Sequence, residues 1–374
     1  MAVEFLVDKS AIRNIEAHEF GLTPLAAGQI RLAISRVALT ANNVTYAASG
    51  DALRYWQFFP TSTVRAGGDN PADDAVDKGL VPVWGLATIV ESTVSELPVG
   101  EQVYGFWPLA SHLDILPERI TDSGFVDAAQ HRQDLPEIYN AYVRLAGPMA
   151  ALDADMRARL ALLFPLYITS FLLDDFLQES VWFGADELVL TSASSKTAIG
   201  LAKLTAQREN RPRVIGLTSS GNQAFVQSLG CYDAVVLYDE IDQRLGSNTA
   251  MMVDLAGNTA VRACMHQRYA EKLLYSCAVG TSHWDQFKPT EPVPVGPKPV
   301  FFFAPAQAKK RRQEWGGDKL RQVMFECWHQ MALDSKTWLS VRSVSGERDI
   351  ALAWDGVAQG RATPAEGIML ELQS

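Results

Sequence analysis

The sequence predicts a two-part α/β protein, with a β-rich first part and a doubly wound parallel sheet after it. Three observations predict this. Up to about residue 150, apolar and polar residues alternate and Pro/Gly turns recur, as in half-buried strands. Beyond it, short continuous apolar runs alternate with helical patterns, as in a parallel sheet covered on both faces. The 374 residues are 48% apolar and 20% charged, enough for two cores and incompatible with a disordered or collagen-like chain.

The elements follow in order. Gln29 to Leu39 alternates, with Ile30, Leu32 and Ile34 on one face and Arg31 and Ser35 on the other. Val81–Val90 and Glu101–Tyr104 read as strands around the turn Leu97-Pro98-Val99-Gly100. Trp107-Pro108 and Leu116-Pro117 punctuate the next stretch. The small polar run 66–71 and the aperiodic run Thr121–Arg132 are expected to be mobile loops. Ala151–Leu163 and Ile168–Leu177 have helical spacing. Strands are then expected at Glu187–Thr191, Arg213–Leu217, Ala234–Leu237, Met251–Leu255 and Leu273–Cys277. The helices between them fall at Lys196–Gln207, Asn222–Leu229 and Thr259–Arg268. Phe301–Phe303 opens a last segment with a helix near Asp318–Leu333. The expected domains are 1–150 (β-rich), 151–295 (nucleotide-binding) and 296–374 (returning to the β-rich part).

Composition narrows the function. Lys+Arg 33 against Asp+Glu 43 gives a net charge of −10, which argues against a nucleic-acid or anionic-membrane binder. The apolar stretch Ala161–Leu173 contains Pro165, Thr169 and Ser170 and reads as too short and interrupted to span a bilayer. The N-terminus lacks a basic start before an apolar run, so no secretory signal is expected. Cys231, Cys264, Cys277 and Cys327 form no C-x-x-C pair, and a cytoplasmic setting is expected.

One segment has the layout of a phosphate-binding turn: the strand Leu188-Val189-Leu190, the loop Thr191 to Ser195, and a helix from Lys196. Such a turn presents backbone N–H groups and a positive helix end to a diphosphate. Ser194, Ser195 and Ala198 are small enough for close approach, and Lys196 adds a charge. The plainer alternative is that Ser192 or Ser194 only caps a helix. The next strand ends in Thr218-Ser219-Ser220-Gly221-Asn222, with no acid to repel a 2′-phosphate, which favours NADP(H) over NAD(H).

The order of elements resembles the medium-chain dehydrogenase/reductase superfamily, in its zinc-independent quinone oxidoreductase and enoyl reductase branch. Val37 to Asn43 is similar to that family's early V-x-x-N-x-x-D segment, Leu97 to Gly105 to its turn, and Gly216 to Ser220 to the second nucleotide-domain strand. Gln227 to Asp233 and Val253 to Gly257 are similar to two further family runs. Tyr104 to His112, Tyr139 to Tyr142, Ser170 to Leu177 and Phe302 to Pro305 resemble a family within it known only as a domain of unknown function. The resemblance implies a GroES-like domain, a Rossmann domain and an NADP(H)-dependent oxidoreductase. Ser195, Lys196 and Ala198 stand where the family loop has glycines.

By resemblance, Thr169, Thr197, Tyr238, Val279 and Phe302 join Ser194–Lys196 and Thr218–Ser220 around the cofactor. The side chains of Phe301–Phe303 are expected in the core. No Cys lies in the first 150 residues, which argues against a catalytic zinc. A zinc-free enzyme of this kind moves a hydride to an activated C=C bond or a quinone, with a proton from a side chain or water. Tyr46 is the expected acid, Asn43 a donor to the substrate oxygen, and Tyr139 with Asn140 a second pair. Trp56, Phe106 and Trp107 are expected to wall a flat apolar or aromatic carbonyl, or else to form core. His112 and His283 are further candidates; Lys309 to Arg312 is a basic run that reaches the cofactor's phosphates, binds an acidic substrate or forms a solvated face. A homodimer is implied by resemblance. A lyase or isomerase, or a non-catalytic binding protein on the same scaffold, are the alternatives.

Overall fold

A computed structural model describes residues 1–62, 77–279 and 295–372. The run 66–71 and His283 lie outside them. The chain divides into two compact units, Met1–Leu162 with Ser340–Ser374, and Leu163–Leu339.

The first unit is built on β-sheets. Ala2–Asp8 pairs with Ile15–Phe20 and Lys78–Leu80 in a three-stranded sheet. The larger sheet has nine strands, with Ile30–Leu39, Pro82–Ser92 and Gln102–Pro108 adjacent at its centre. Ile30, Leu32 and Ile34 are fully buried, as the alternation requires. Arg31 between them is buried as well, because Asp114 and Glu91 pair with its guanidinium. The last residues add a β-α-β unit to this sheet: Ser340–Ser345, the helix Glu347–Ala358, and Glu366–Glu371 against Ile30–Leu39.

The second unit holds a six-stranded parallel sheet. In space its strands run Ala234–Leu237, Arg213–Thr218, Glu187–Leu190, Ala250–Asp254, Leu273–Ala278, Val300–Phe301. Strand order therefore reverses between Glu187–Leu190 and Ala250–Asp254, the place where open α/β sheets bind ligands beyond their carboxyl ends. Helix Lys196–Ala206 follows the first strand. A Cβ on its Gly200 would sit 2.6 Å from the Ser170 hydroxyl, so glycine lets this helix lie close against its neighbour.

Four expectations are corrected. The two helices proposed on either side of Pro165 are one, Ala154–Glu179. Proline removes one backbone donor there, yet the Thr169 hydroxyl donates to the Pro165 carbonyl (3.0 Å) and burial holds the turn. This is the one helix among the described residues apolar and long enough to cross a membrane, and 67% of its most apolar window is buried inside the protein. The run Thr121–Arg132 is no loose loop: Gly124–Asp127 is a paired strand, and Arg132 is buried by polar contacts that apolar periodicity does not reveal. Residues 296–339 pack with the second unit, and the return to the first starts at Ser340. Phe301 and Phe303 are 54% and 53% exposed, because Val300–Phe301 is an edge strand, and only Phe302 turns inward, onto Phe176.

Candidate functional site

In the second unit, Glu187–Leu190 ends at Thr191, whose buried hydroxyl donates to Asp254 Oδ1 (2.8 Å) and accepts from the N–H groups of Leu255 (2.9 Å) and Ala256 (3.0 Å). This ties the first strand to the fourth at the reversal of strand order. Asp254 and Arg262, both almost fully buried, face each other at 3.5 Å. The chain then turns. Ser192 takes a left-handed φ of 52°, a conformation in which glycine is usual. The Ser195 N–H donates to the Ser192 carbonyl (2.8 Å), and the Ser195 hydroxyl caps the next helix by accepting from the Ala198 N–H (3.3 Å). The N–H groups of Ser194 and Thr197 make no hydrogen bond to another described residue.

Two phenols hold this turn. Tyr238 accepts from the Ser192 N–H (2.9 Å), and Tyr232 donates to the Ala193 carbonyl (2.7 Å). Asn222 donates to the Ser194 hydroxyl (3.2 Å). Burial raises both phenol pKa values, so both hydroxyls stay protonated. Thr218, at the neighbouring strand end, is buried with a hydroxyl that has no partner among the described residues, and Ser219 and Ser220 are exposed beside it. The structure thus brings Ser194, Ser195, Lys196, Thr197, Thr218, Ser219, Ser220 and Tyr238 to the carboxyl end of one sheet.

The remaining residues expected near a cofactor have local tasks. Thr169 bonds back to its own helix, and Ser170 donates to the Thr197 carbonyl (2.8 Å). The N–H groups of Val279 and Phe302 are used within the sheet, donating to Asp254 and Ala278. The basic run is largely solvated, with Lys309, Lys310 and Arg312 exposed. Arg311 is buried, paired with Asp175, Glu179 and Glu314 and stacked on Trp315, while Lys310 pairs with Glu179.

In the first unit, Tyr46 lies on the helix Ala41–Ala48, packed on Tyr55 (centroids 4.4 Å apart) and edge-on to Phe106 (5.7 Å). Tyr139 packs on Phe106 (4.7 Å) and Phe58 (5.4 Å). Burial pushes the Tyr46 phenol above its ordinary pKa; the Trp84 indole and the Asn42 amide, facing its oxygen, oppose this. Tyr55, Tyr104 and Tyr139 are raised by burial too. Each buried neutral phenol keeps its stabilising form below the unfolded-state pKa near 10, and loses it as pH rises from there toward the higher folded value. Above pH 10 the first unit is therefore expected to lose stability by up to about 1.4 kcal/mol per pH unit per tyrosine, seen as a falling urea midpoint in an alkaline series. A flat midpoint to pH 11.5 contradicts it.

The other residues expected at the chemical site divide. Asn43 closes a capping box: its Oδ1 accepts from the Thr40 N–H (2.7 Å) and its Nδ2 donates to the Pro82 carbonyl (2.9 Å). Asn140 is bonded both ways to Arg132. Phe106 and Trp107 are adjacent on one strand and point to opposite faces: Phe106 joins the tyrosines, and Trp107 donates to the Gly85 carbonyl (2.9 Å) and packs on Tyr142. Trp56 is half-buried over Gly50 and Gly79, where an added Cβ would meet its ring at 2.1 and 2.4 Å. His112 bonds Ser111 (2.9 Å), with its pKa lowered by burial and by Arg31. Trp84, Arg132 and Tyr232 were not anticipated. Among the described residues no three His, Cys, Asp or Glu side chains form a metal-binding group.

A protein-family model covers residues 37–363. The chain belongs to the DUF2855 family of proteins of unknown function. No curated protein matches the sequence. Solved structures do match this DUF2855 chain over its whole length. CurA from Vibrio vulnificus in complex with NADPH superposes with a TM-score of 0.62 at 13% identity, covering 100% of this chain and 99% of that one. The Etr1p complex with NADP and crotonyl-CoA gives 0.58 at 13%, covering 99% of each chain. YhdH of E. coli K-12 with bound NADPH gives 0.55 at 12%, covering 99% and 100%. At such identity the likeness is one of fold. The DUF2855 chain has the GroES-like plus Rossmann fold expected from its sequence.

Proposed function

We propose that the chain is a zinc-independent NADP(H)-dependent oxidoreductase that reduces an activated C=C bond or a quinone-like small molecule. One observation carries the reading. A capped strand–turn–helix whose Ser194 and Thr197 N–H groups have no partner among the described residues stands beside a strand end with no carboxylate and a buried Thr218 hydroxyl likewise unpartnered among the described residues. Those donors fit a diphosphate, and Ser219, Ser220 and Lys196 suit a further phosphate on the ribose. Solved structures of like fold hold NADPH or NADP, which supports the same choice. When bound, the nicotinamide supplies the hydride. The chain's own part in the first unit is to hold a proton on the Tyr46 hydroxyl, kept there by burial, among aromatic side chains that suit a flat apolar carbonyl compound.

Thermal unfolding of the full chain with NADPH, NADH or no ligand tests this. NADPH at about 100 times its Kd is expected to add about 2.7 kcal/mol of stability, NADH less at equal concentration, and Lys196→Glu is expected to abolish most of the NADPH shift. A melting temperature indifferent to either nucleotide at millimolar concentration overturns the proposal.

A further inference from the structure

Dinucleotide turns use glycine where the backbone must enter the left-handed region or approach the diphosphate closely. This chain has Ser192-Ala193-Ser194-Ser195-Lys196 there, and Ser192 nonetheless sits at φ 52°. A non-glycine residue keeps such a conformation only when its surroundings over-determine it. Here they do so at both residues after Thr191. The Ser192 N–H is taken by the Tyr238 hydroxyl (2.9 Å) and the Ala193 carbonyl by the Tyr232 hydroxyl (2.7 Å). The Ala193 N–H is taken by the Leu217 carbonyl (2.9 Å), and the Ser192 carbonyl by the Ser195 N–H (2.8 Å). The two tyrosines flank Ala234–Leu237, two strands away from the turn, so Tyr238 reaches it past the end of Arg213–Thr218 and Tyr232 across that strand's face at Gly216. Gly216 on that intervening strand makes room: a Cβ there would lie 2.9 Å from the Tyr232 ring and 2.8 Å from Ala193 Cβ.

We propose that Tyr232 and Tyr238 are positioning residues that keep Ser192 in a left-handed conformation which glycine would take unaided, holding Ser192 and Ala193 so that the Ser194 and Thr197 N–H groups face a nucleotide diphosphate. The ligand named here rests on the function proposed above; the bracing of the turn does not. Each phenol acts through its hydroxyl, so Tyr→Phe removes the bond and leaves the ring packing.

The test uses the ligand-free full chain and NADPH, with Tyr232→Phe, Tyr238→Phe, Ser192→Gly and the Tyr238→Phe/Ser192→Gly double variant. Amide exchange read by mass spectrometry over residues 188–198 is expected to quicken roughly 3- to 10-fold in each Phe variant without any nucleotide, the effect of one hydrogen bond. NADPH affinity is expected to fall by a similar factor. In the Ser192→Gly background the loss caused by Tyr238→Phe is expected to shrink below about 2-fold, because glycine takes the left-handed conformation unaided. Unchanged exchange in both Phe variants overturns the proposal. So does an equal loss of affinity in the two backgrounds, or tighter NADPH binding by Tyr238→Phe, which would make the phenol an obstruction. If the parent binds no NADPH, the function reading fails alone and the exchange data still decide the bracing.

Discussion

Asp127→Ala is expected to cost about 3–5 kcal/mol of stability, the penalty for stranding a buried guanidinium. Arg132 is 1% exposed and depends on this carboxylate, with Nη1 donating to Asp127 Oδ2 at 2.9 Å. Its other donors are directed to Asn140 Oδ1 (2.9 Å), the Tyr142 hydroxyl (2.9 Å) and the Tyr139 carbonyl (2.7 Å). The guanidinium also lies over the Phe59 ring at 4.7 Å. None of those partners is anionic, so no neighbour replaces the lost charge. Asp127 has a second task, since its other oxygen accepts the Ala129 N–H (3.0 Å) and orders the chain that leads to Arg132. Urea unfolding measures the loss. The double variant Asp127→Leu/Arg132→Met is expected to be less damaging than Asp127→Ala alone, because removing both charges removes the desolvation penalty with the pair. A single-variant loss below 1 kcal/mol would show that the pair does not constrain the unit.

The same network explains which parts of the molecule were legible in the sequence. Parallel strands buried on both faces are continuous apolar runs, so Glu187–Leu190 and Ala250–Asp254 emerged within a residue of their observed ends. Ser340–Ser345 passed unnoticed: with the sequence SVRSVS it is a strand only because Glu366–Glu371 pairs with it in parallel across an intervening helix. The run Thr121–Arg132 reads as loose because its order comes from the pairing of the short strand Gly124–Asp127 and from one buried arginine, and neither leaves a periodic trace. At the site, the strand–turn–helix was readable, since a capping serine and a helix start are local signals. The Tyr238–Ser192 bond joins residues 46 positions apart and was not. Asn43 shows the reverse failure. It stands three residues after Thr40, a local capping pattern, and that pattern accounts for its side chain better than a substrate contact does.

Tyr46→Phe is expected to lower kcat about 100-fold, roughly 2.7 kcal/mol of transition-state stabilisation, and to leave the NADPH-induced thermal shift intact. The hydroxyl is the only atom removed, and the ring still packs on Tyr55 and Phe106. Stability should therefore change far less than turnover. Direction of titration sharpens the expectation. Burial raises the Tyr46 pKa, so the parent holds this proton throughout the neutral range and its rate should not decline below pH 10 through loss of that proton. Tyr139→Phe should cost less if Tyr46 is the terminal donor, because Tyr139 interacts with Tyr46 and Tyr55 from within the same aromatic cluster. A Tyr46→Phe variant that turns over within 2-fold of the parent would assign the proton to water, and leave the cluster as packing alone. If Tyr139→Phe lost the 100-fold and Tyr46→Phe did not, the acid would be the second phenol.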